Sequence, residues 1–247
     1  MDDYFRYEAR IAQDHLVPWL GAWQALPRAG RVLDVGCGYG GTLQAIKETS
    51  PEVTATGLDL DPVMVATGQT RLEGTARILN ANFFEWSDGL FDLILMRDVL
   101  EHIRRPAQAL RRAASMLTPG GWLFASFAPF YGPFGGHQHN ASGVLSSVPW
   151  IQFLPPDFLR ARLRIEGNAY KTKDQLHADM DSVFETRLTV RGFLRAAADA
   201  DLTVVARKSY LVRPDYRIKF GLPAVPAPAF CAELFATGVE ALLRKAA

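Results

Sequence analysis

The sequence predicts an α/β protein built on a doubly wound, mostly parallel sheet. Two observations predict this class: short apolar runs alternate with helical patterns, and a glycine-rich turn follows the first run. Strands that alternate with helices are joined by right-handed crossovers and therefore pair in parallel. The strand-like runs lie at 31–35, 53–59, 76–81, 91–96 and 121–128, and helical patterns end near 48 or lie at 62–72 and 105–117.

Length and composition limit the class of protein. The chain has 247 residues, enough for one large α/β domain or one domain with an insertion. Its 27 Lys and Arg against 26 Asp and Glu lack the strong basic excess of a typical nucleic-acid-binding protein. Two cysteines, Cys37 and Cys231, are too few for a disulfide framework. Since no secretory start and no long apolar run is seen, we expect a cytoplasmic protein without an integral membrane segment.

The remaining segments extend or interrupt the alternation. Apolar positions at helical spacing predict an N-terminal helical cap over 1–26. The periodicity stops after strand five, and 129–187 is predicted to be an insertion or lid, because plain connections are much shorter. Three further elements complete a single domain over 1–247, namely a helix at 189–199, a strand at 202–207 and an amphipathic helix at 229–244.

The glycine turn and an acidic residue after it point to a nucleoside site. Gly36, Gly38 and Gly40 lie between a strand and a helix, where the missing side chains permit a tight turn and close approach of a ligand to backbone amides. Asp59 ends the second strand, where a carboxylate can accept hydrogen bonds from both ribose hydroxyls. Because Gly36, Gly38 and Gly41 also satisfy G-x-G-x-x-G, these residues alone leave an NAD(P)-dependent oxidoreductase as an alternative.

Four segments in the correct order resemble the motifs of class I S-adenosylmethionine-dependent methyltransferases. They are 32–40 after the first strand, 57–62 at the end of the second, 91–103 along and beyond the fourth, and 117–123 leading into the fifth. The resemblance covers about residues 30–128. It implies a Rossmann-like methyltransferase fold with a seven-stranded sheet and an insertion after strand five. The last two strands of this sheet would be 202–207 and part of 209–220.

The resemblance also implies a role for each matching residue. Asp34 would approach the amino group of the methionine moiety, and Asp59 would hold the ribose while Leu60 packs against adenine. Asn82 stands where the family usually has an acid, and its amide oxygen can accept the same hydrogen bond without charge. The residues that the resemblance assigns to the cofactor S-adenosyl-L-methionine are Asp34, Gly36, Gly38, Gly40, Asp59, Leu60, Asn82, Phe83, Arg97 and Asp98.

Candidate catalytic residues follow strand five. Methyl transfer is an in-line displacement at a sulfonium carbon, so a hydroxyl acceptor needs mainly alignment and a base. We predict that His137 or His139 is this base and that Tyr131 orients the acceptor. The alternative is a Pro/Gly loop whose histidines only meet solvent.

Two other interpretations of the histidines have less support from the sequence. His137 and His139 could hold a divalent metal with Asp98 or Asp157, but this spacing differs from that of metal-assisted sugar and catechol methyltransferases, so no metal is predicted. His102 follows Glu101, and the resemblance implies a structural role for it, with a role as the base as the alternative.

The predicted function is O-methylation of a small metabolite, such as a sugar or an aromatic natural product, with S-adenosyl-L-homocysteine as the second product. The apolar segment 149–163 could be a lid over the acceptor, a homodimer contact or internal packing. Basic and apolar residues near the C-terminus leave a lipid-linked acceptor with peripheral membrane contact as an alternative. Two rivals are an oxidoreductase, for which no Ser/Tyr/Lys set is visible, and a module that binds the cofactor without turnover.

Overall fold

A computed structural model describes residues 2–167 and 171–247, which contain an eight-stranded sheet and the helices around it. The strands are β1 Ala29–Val35, β2 Glu52–Asp59, β3 Arg77–Asn80, β4 Phe91–Arg97, β5 Leu117–Phe127, β6 Leu202–Val212, β7 Val225–Pro226 and β8 Gly238–Lys245. The helices are α1 Asp2–Ile11, α2 Val17–Ala22, α3 Gly41–Thr49, α4 Pro62–Arg71, α5 Pro106–Met116, α6 Pro156–Arg162, α7 Lys173–Thr186, α8 Val190–Ala198, α9 Tyr216–Phe220 and α10 Ala232–Phe235. In the described ranges, every helix is too short or too polar to cross a bilayer.

The strand order confirms the doubly wound, mostly parallel sheet. The order is β3-β2-β1-β4-β5-β8-β6-β7, and the first five of these strands pair in parallel. β8 runs antiparallel to β5 and β6, and β7 pairs antiparallel with β6. The chain leaves β1 toward β2 on one side and leaves β4 toward β5 on the other side. A crevice therefore opens between the carboxyl ends of the neighbouring strands β1 and β4.

Hydrophobic cores lie on both faces of the sheet. Val32 and Leu33 are adjacent in β1 and fully buried, but they belong to different clusters because successive strand residues point to opposite faces. Helices α1 to α4 contribute to the cluster around Val32, and α5 and α8 contribute to the cluster around Leu33. A sheet buried on both faces explains why its strands are continuous apolar runs.

The N-terminal helices pack directly against the first helix after the glycine loop. α1 continues through one π-helical turn, Ala12–Leu16, into α2. A Cβ atom on Gly41, the first residue of α3, would lie 2.5 Å from the carbonyl oxygen of Phe5 and 2.7 Å from Cβ of Glu8. Only glycine therefore permits this close contact between α1 and α3.

The predicted helix at 229–244 is wrong for most of its length. Only its start is helical, and Gly238–Lys245 is strand β8 between β5 and β6. A central strand covered on both faces has no solvent side, so its apolar run lacks the period of two that separates a strand from a helix. The residues of β8 with no exposed surface are Val239, Ala241, Leu242 and Leu243.

The expected seven strands, ending within 209–220, also need correction. Ser209 to Val212 continue β6, whereas Tyr216–Phe220 is helix α9. Pro214 follows β6 and cannot donate a ladder hydrogen bond, which is consistent with the strand ending there. The eighth strand is the short edge strand β7, which contains two residues.

The segment 129–187 consists of a loop, short 3-10 turns and helices α6 and α7, with 168–170 outside the described residues. Thr172 and Gln175 form a capping box that begins α7. The Gln175 side-chain amide also donates to Asp61 Oδ2 at 2.6 Å, just beyond β2. The rings of Phe184 in α7 and Phe130 after β5 lie 5.4 Å apart. The segment therefore contacts residues at the ends of both β2 and β5.

Leu242→Ala tests the placement of β8. Leu242 has no exposed surface, so we expect the free energy of unfolding to fall by about 2–5 kcal/mol. Leu222→Ala is the matched control, since Leu222 is 46% exposed and should change stability by only about 0.5 kcal/mol. Urea denaturation of both variants measures the difference, and equal losses would contradict the buried central position of β8.

Candidate functional site

The glycine loop between β1 and α3 is fixed against the end of β2. The amides of Gly36 and Cys37 both donate to the carbonyl of Leu58, at 2.8 and 3.0 Å. The amide of Gly38 donates to Oδ2 of Asp59 at 2.8 Å. Gly36 has φ 72°, and a Cβ there would lie 2.3 Å from Cγ2 of Val99. The loop thus needs glycine for both backbone conformation and space.

A buried acid and an arginine lie beside this loop at the ends of β1 and β4. Asp34 is 2% exposed, and burial raises the pKa of its carboxyl to about 7 against the opposing effect of Arg97. The Arg97 guanidinium donates to Oγ1 of Thr42 in α3 at 2.6 Å. A carboxyl group and a guanidinium group side by side can bind the ammonium and the carboxylate of an α-amino acid.

Glu8 of α1 is a site residue that the sequence interpretation missed. A Cβ on Gly38 would lie 2.8 Å from Oε1 of Glu8, so this carboxyl lies over the glycine loop. Its Oε2 is buried and has no hydrogen-bond partner within the described residues. Burial raises the pKa of Glu8 to about 8. The available signal was a charged residue close to the buried positions Phe5 and Ala12 of the N-terminal helices.

The predicted nucleoside side of the site surrounds Asp59. Its Oδ1 accepts from the amide of Asp61 at 2.9 Å, and its side chain is only partly exposed. Leu60 next to it is 72% exposed, as an apolar contact for a ligand ring would require. Asn82 donates to Glu85 and accepts from the Phe84 amide within one turn. Phe83 differs from these residues because it packs into the core, with 5% of its surface exposed.

A chain of ion pairs begins at Asp98, directly after β4. Asp98, at φ 51°, accepts from Nη2 of Arg213 at 2.6 Å and from the hydroxyl of Ser126 at 3.2 Å. The same arginine donates through Nε to Asp215 at 3.1 Å. The Arg213 guanidinium holds the pKa of Asp98 well below its usual range despite burial. Arg213 was also missed, since a lone arginine after a predicted strand gives no sequence signal.

Three residues with potential ligand atoms meet beside Asp98, and we call them the triad: Glu101, His102 and His137. One carboxylate oxygen and one nitrogen from each imidazole all lie within 4.8 Å of one another. Glu101 Oε1 accepts from the amide of Ala128 at 3.0 Å, whereas Oε2 is buried without a partner among the described residues. Burial raises the pKa of Glu101 to about 8 and lowers those of both histidines.

His137 reaches the triad through a tightly built loop after β5. Two buried glutamine side chains tie the loop together: Gln138 donates to the carbonyls of Pro133 and Val148, and Gln152 donates to those of Phe130 and Gly132. His137 itself has φ 53° and is 9% exposed. The loop is therefore not a solvent-facing Pro/Gly connection.

The other two predicted catalytic residues lie at the edge of this arrangement. The His139 ring centroid is 5.4 Å from that of His137, but the residue is exposed. The Tyr131 ring stacks on Phe153 with centroids 5.9 Å apart. Of the predicted bases, only His137 joins the triad. His102, expected to be structural, belongs to the same cluster as His137.

Comparisons with known proteins point to one class. A family model described as a methyltransferase domain matches residues 4–164. A curated ubiquinone biosynthesis O-methyltransferase from Xanthomonas campestris is 36% identical over 114 residues, which cover 44% of this chain and 46% of that protein. A relative of the same name from Thiobacillus denitrificans is 31% identical over 135 residues, or 52% of this chain and 53% of that one. The chain thus spans about half the length of these curated relatives.

Solved structures support the same fold. A putative sarcosine dimethylglycine methyltransferase from Galdieria sulphuraria matches with a TM-score of 0.61 at 14% identity, over 95% of this chain and 85% of that one. The magnesium protoporphyrin IX methyltransferase of Synechocystis, solved with bound SAH, matches with a TM-score of 0.57 at 17% identity, over 97% and 86%. At such low identity these matches show the fold.

Asp34→Asn should make the ligand-free protein more stable at high pH. An acid whose pKa rises on folding binds more protons in the folded state, so stability falls as pH increases between its unfolded pKa and about 7. We expect the variant to gain at least about 1 kcal/mol over the wild type at pH 8, with the gain shrinking toward pH 4. Denaturant unfolding at several pH values measures it.

The control for this experiment is Asp88→Asn. The Asp88 side chain is 42% exposed and pairs with Arg31 and Arg77 at the surface. Its removal should give no gain that grows with pH. A stability difference for Asp34→Asn that is constant over the whole pH range would contradict the raised pKa of Asp34.

Proposed function

The chain belongs to the methyltransferase domain family, and from this premise we propose that it transfers a methyl group from S-adenosyl-L-methionine to a hydroxyl oxygen of a small molecule. One observation carries the proposal. Asp34, the glycine loop and Asp59 converge where the carboxyl ends of β1 and β2 meet, and Arg97 stands beside them at the end of β4. Oppositely charged and hydroxyl-binding groups are therefore arranged in the order in which they occur along the proposed cofactor.

The residues at this edge fit the cofactor's charged end. The buried Asp34 carboxyl and the unpartnered Oε2 of Glu8 suit an α-ammonium group, which would compensate for their burial. The Arg97 guanidinium suits the α-carboxylate. When bound, the cofactor supplies a methyl group on a positively charged sulfur and leaves as S-adenosyl-L-homocysteine.

The nucleoside end would lie along the loop and the end of β2. We assign the ribose hydroxyls to Asp59 and the backbone approach to Gly36, Gly38 and Gly40. The exposed side chain of Leu60 offers an apolar surface to adenine, and Asn82 offers an amide. Phe83 would act through the packing behind this surface, and Asp98 through its position at the end of β4 beside Arg97.

The acceptor hydroxyl would lie beside the triad, because these residues follow β4 and β5 at the same edge as the cofactor residues. We assign acceptor activation to the triad, with His137 as its member from the loop after β5. His139 and Tyr131 would orient the acceptor from the exposed edge, where the rings of Tyr131 and Phe153 stack. The stacked aromatic side chains and a group that activates a hydroxyl suit a hydroxylated aromatic acceptor. The curated relatives are named ubiquinone biosynthesis O-methyltransferases, which agrees with this choice.

Transfer of labelled methyl tests the proposal. The protein is incubated with methyl-labelled S-adenosyl-L-methionine and either phenol and catechol compounds or a cell extract, and the products are separated into aqueous, organic and macromolecular fractions. Label in a small methyl ether supports the proposal. Organic label that pellets with membranes would indicate the lipid-linked acceptor instead. Label only in macromolecules would contradict the acceptor class, and cofactor binding with no transfer would indicate a non-catalytic module.

Asp59→Asn should weaken cofactor binding. The amide keeps one acceptor oxygen but loses the charge, so one charge-assisted hydrogen bond is lost and affinity falls roughly 10- to 100-fold. Calorimetric titration with S-adenosyl-L-homocysteine measures the change. Asp88→Asn makes the same chemical change beside Arg77, at the start of β3 and so at the opposite end of the parallel strands. This control should bind normally; equal affinities in all three proteins would exclude Asp59 from the ribose site.

His137→Ala should lower methyl transfer without changing affinity for S-adenosyl-L-homocysteine. A positioned group that activates a hydroxyl typically contributes about 100-fold or more to the rate. His139→Ala is the matched comparison, and since His139 is exposed we expect a much smaller loss. Initial rates on one acceptor measure both. A larger loss in His139→Ala would move the activating role to that residue.

A further inference from the structure

The triad contains the ligand set of a transition metal. Two imidazoles and one carboxylate suit divalent zinc, manganese, iron or cobalt, and three protein ligands leave coordination positions open. The residues come from two places in the chain: Glu101 and His102 from the 3-10 turn Leu100–His102, and His137 from the loop after β5. Their ligand atoms lie within 4.8 Å of one another, so a single ion can contact all three after small adjustments.

The carboxylate of the triad has an unused and buried oxygen. Glu101 is 2% exposed, and its Oε2 has no hydrogen-bond partner among the residues that the structure describes. A buried polar atom without a partner costs about 1–3 kcal/mol, more if it is charged. The Ala128 amide holds the other oxygen at 3.0 Å and so fixes the direction of the carboxylate. A cation bound at Oε2 would remove this cost.

The protonation of His102 is set by a residue outside the triad. Ser182 in α7 donates its single hydroxyl hydrogen to the carbonyl of Asp179 at 2.7 Å. The same oxygen lies 2.7 Å from Nδ1 of His102, so it must accept there and Nδ1 must carry the hydrogen. Nε2 of His102 therefore keeps its lone pair. This arrangement, in which one ring nitrogen donates to a support and the other stays free, is that of a metal-binding histidine.

The third ligand lies close to the second. His137 is 9% exposed, and its ring centroid lies 4.9 Å from that of His102. The nearby Arg213 does not oppose a cation strongly, because it already pairs with Asp98 at 2.6 Å and with Asp215 at 3.1 Å. The two carboxylates offset its charge.

We propose that Glu101, His102 and His137 bind one divalent transition-metal ion, and that Ser182 is a positioning residue for this site. Resting on the proposed function, we further infer that the ion holds the acceptor hydroxyl oxygen and lowers its pKa, so that the proton is released to solvent before transfer. In the loaded protein His137 is thus a ligand. The site differs from the His137–His139 pair that the sequence suggested, because His139 is exposed.

Cobalt binding tests the site without reference to activity. The full chain is treated with a chelator, dialysed and titrated with Co²⁺, followed by the visible absorption of the ion and by calorimetry. We expect one ion per chain in the wild type. Glu101→Gln and His137→Ala should lose this binding, and Ser182→Ala should weaken it roughly 10- to 100-fold. His139→Ala is the control and should bind like the wild type.

Two outcomes would overturn the proposal: a wild type that binds no more Co²⁺ than Glu101→Gln, or loss of binding in His139→Ala but not in His137→Ala. Binding of S-adenosyl-L-homocysteine and the circular dichroism spectrum check that each variant is folded. Methyl transfer by the metal-free and reloaded protein separates the two proposals. A bound ion with no transfer to any acceptor contradicts the proposed function only, whereas transfer by a protein that binds no ion contradicts the metal site only.

Discussion

The ion pair between Asp98 and Arg213 holds distant parts of the chain at one edge of the sheet. Asp98 directly follows β4, and Arg213 directly follows β6. Asp215 extends the link to α1, because it accepts from the Tyr7 hydroxyl at 3.2 Å. The low pKa of Asp98, caused by the Arg213 guanidinium, keeps this link charged at neutral pH. Val99, which follows Asp98, packs against Gly36 of the glycine loop, and Glu101 and His102 of the triad come in the next turn, so both parts of the site lie close to this pair.

Three other acids at this edge have the opposite property. Burial raises the pKa values of Asp34, Glu8 and Glu101, and two of them have an oxygen without a partner within the described ranges. Such groups make the ligand-free fold less stable, and an amide or apolar side chain would serve packing better. Buried ionisable groups with shifted pKa values cluster at functional sites. In our proposals a positive charge from outside the chain offsets the cost of burying these acids. An α-ammonium group does so near Asp34 and Glu8, and a divalent cation does so at Glu101.

The sequence predicts the first five strands well because their period, their turns and their glycines are local signals. It fails at β8, where burial on both faces removes the period of two, and only the pairing with β5 and β6 identifies a strand. The site divides in the same way. Asp34 and Asp59 lie at the carboxyl ends of predicted strands and can be placed from sequence. Glu8 and Arg213 reach the site from segments far away along the chain, so their roles depend on tertiary packing.

Helix α7 connects the two parts of the site in a way that neither part reveals alone. Near its start, Gln175 donates to Asp61 at 2.6 Å, beside the proposed ribose site, and further along Ser182 sets the protonation of His102. Seven residues of helix separate these two contacts by about 10 Å. A helix with a capping box at its start resists changes in this distance. In our proposals α7 therefore joins the ribose side of the site to the triad through these two contacts.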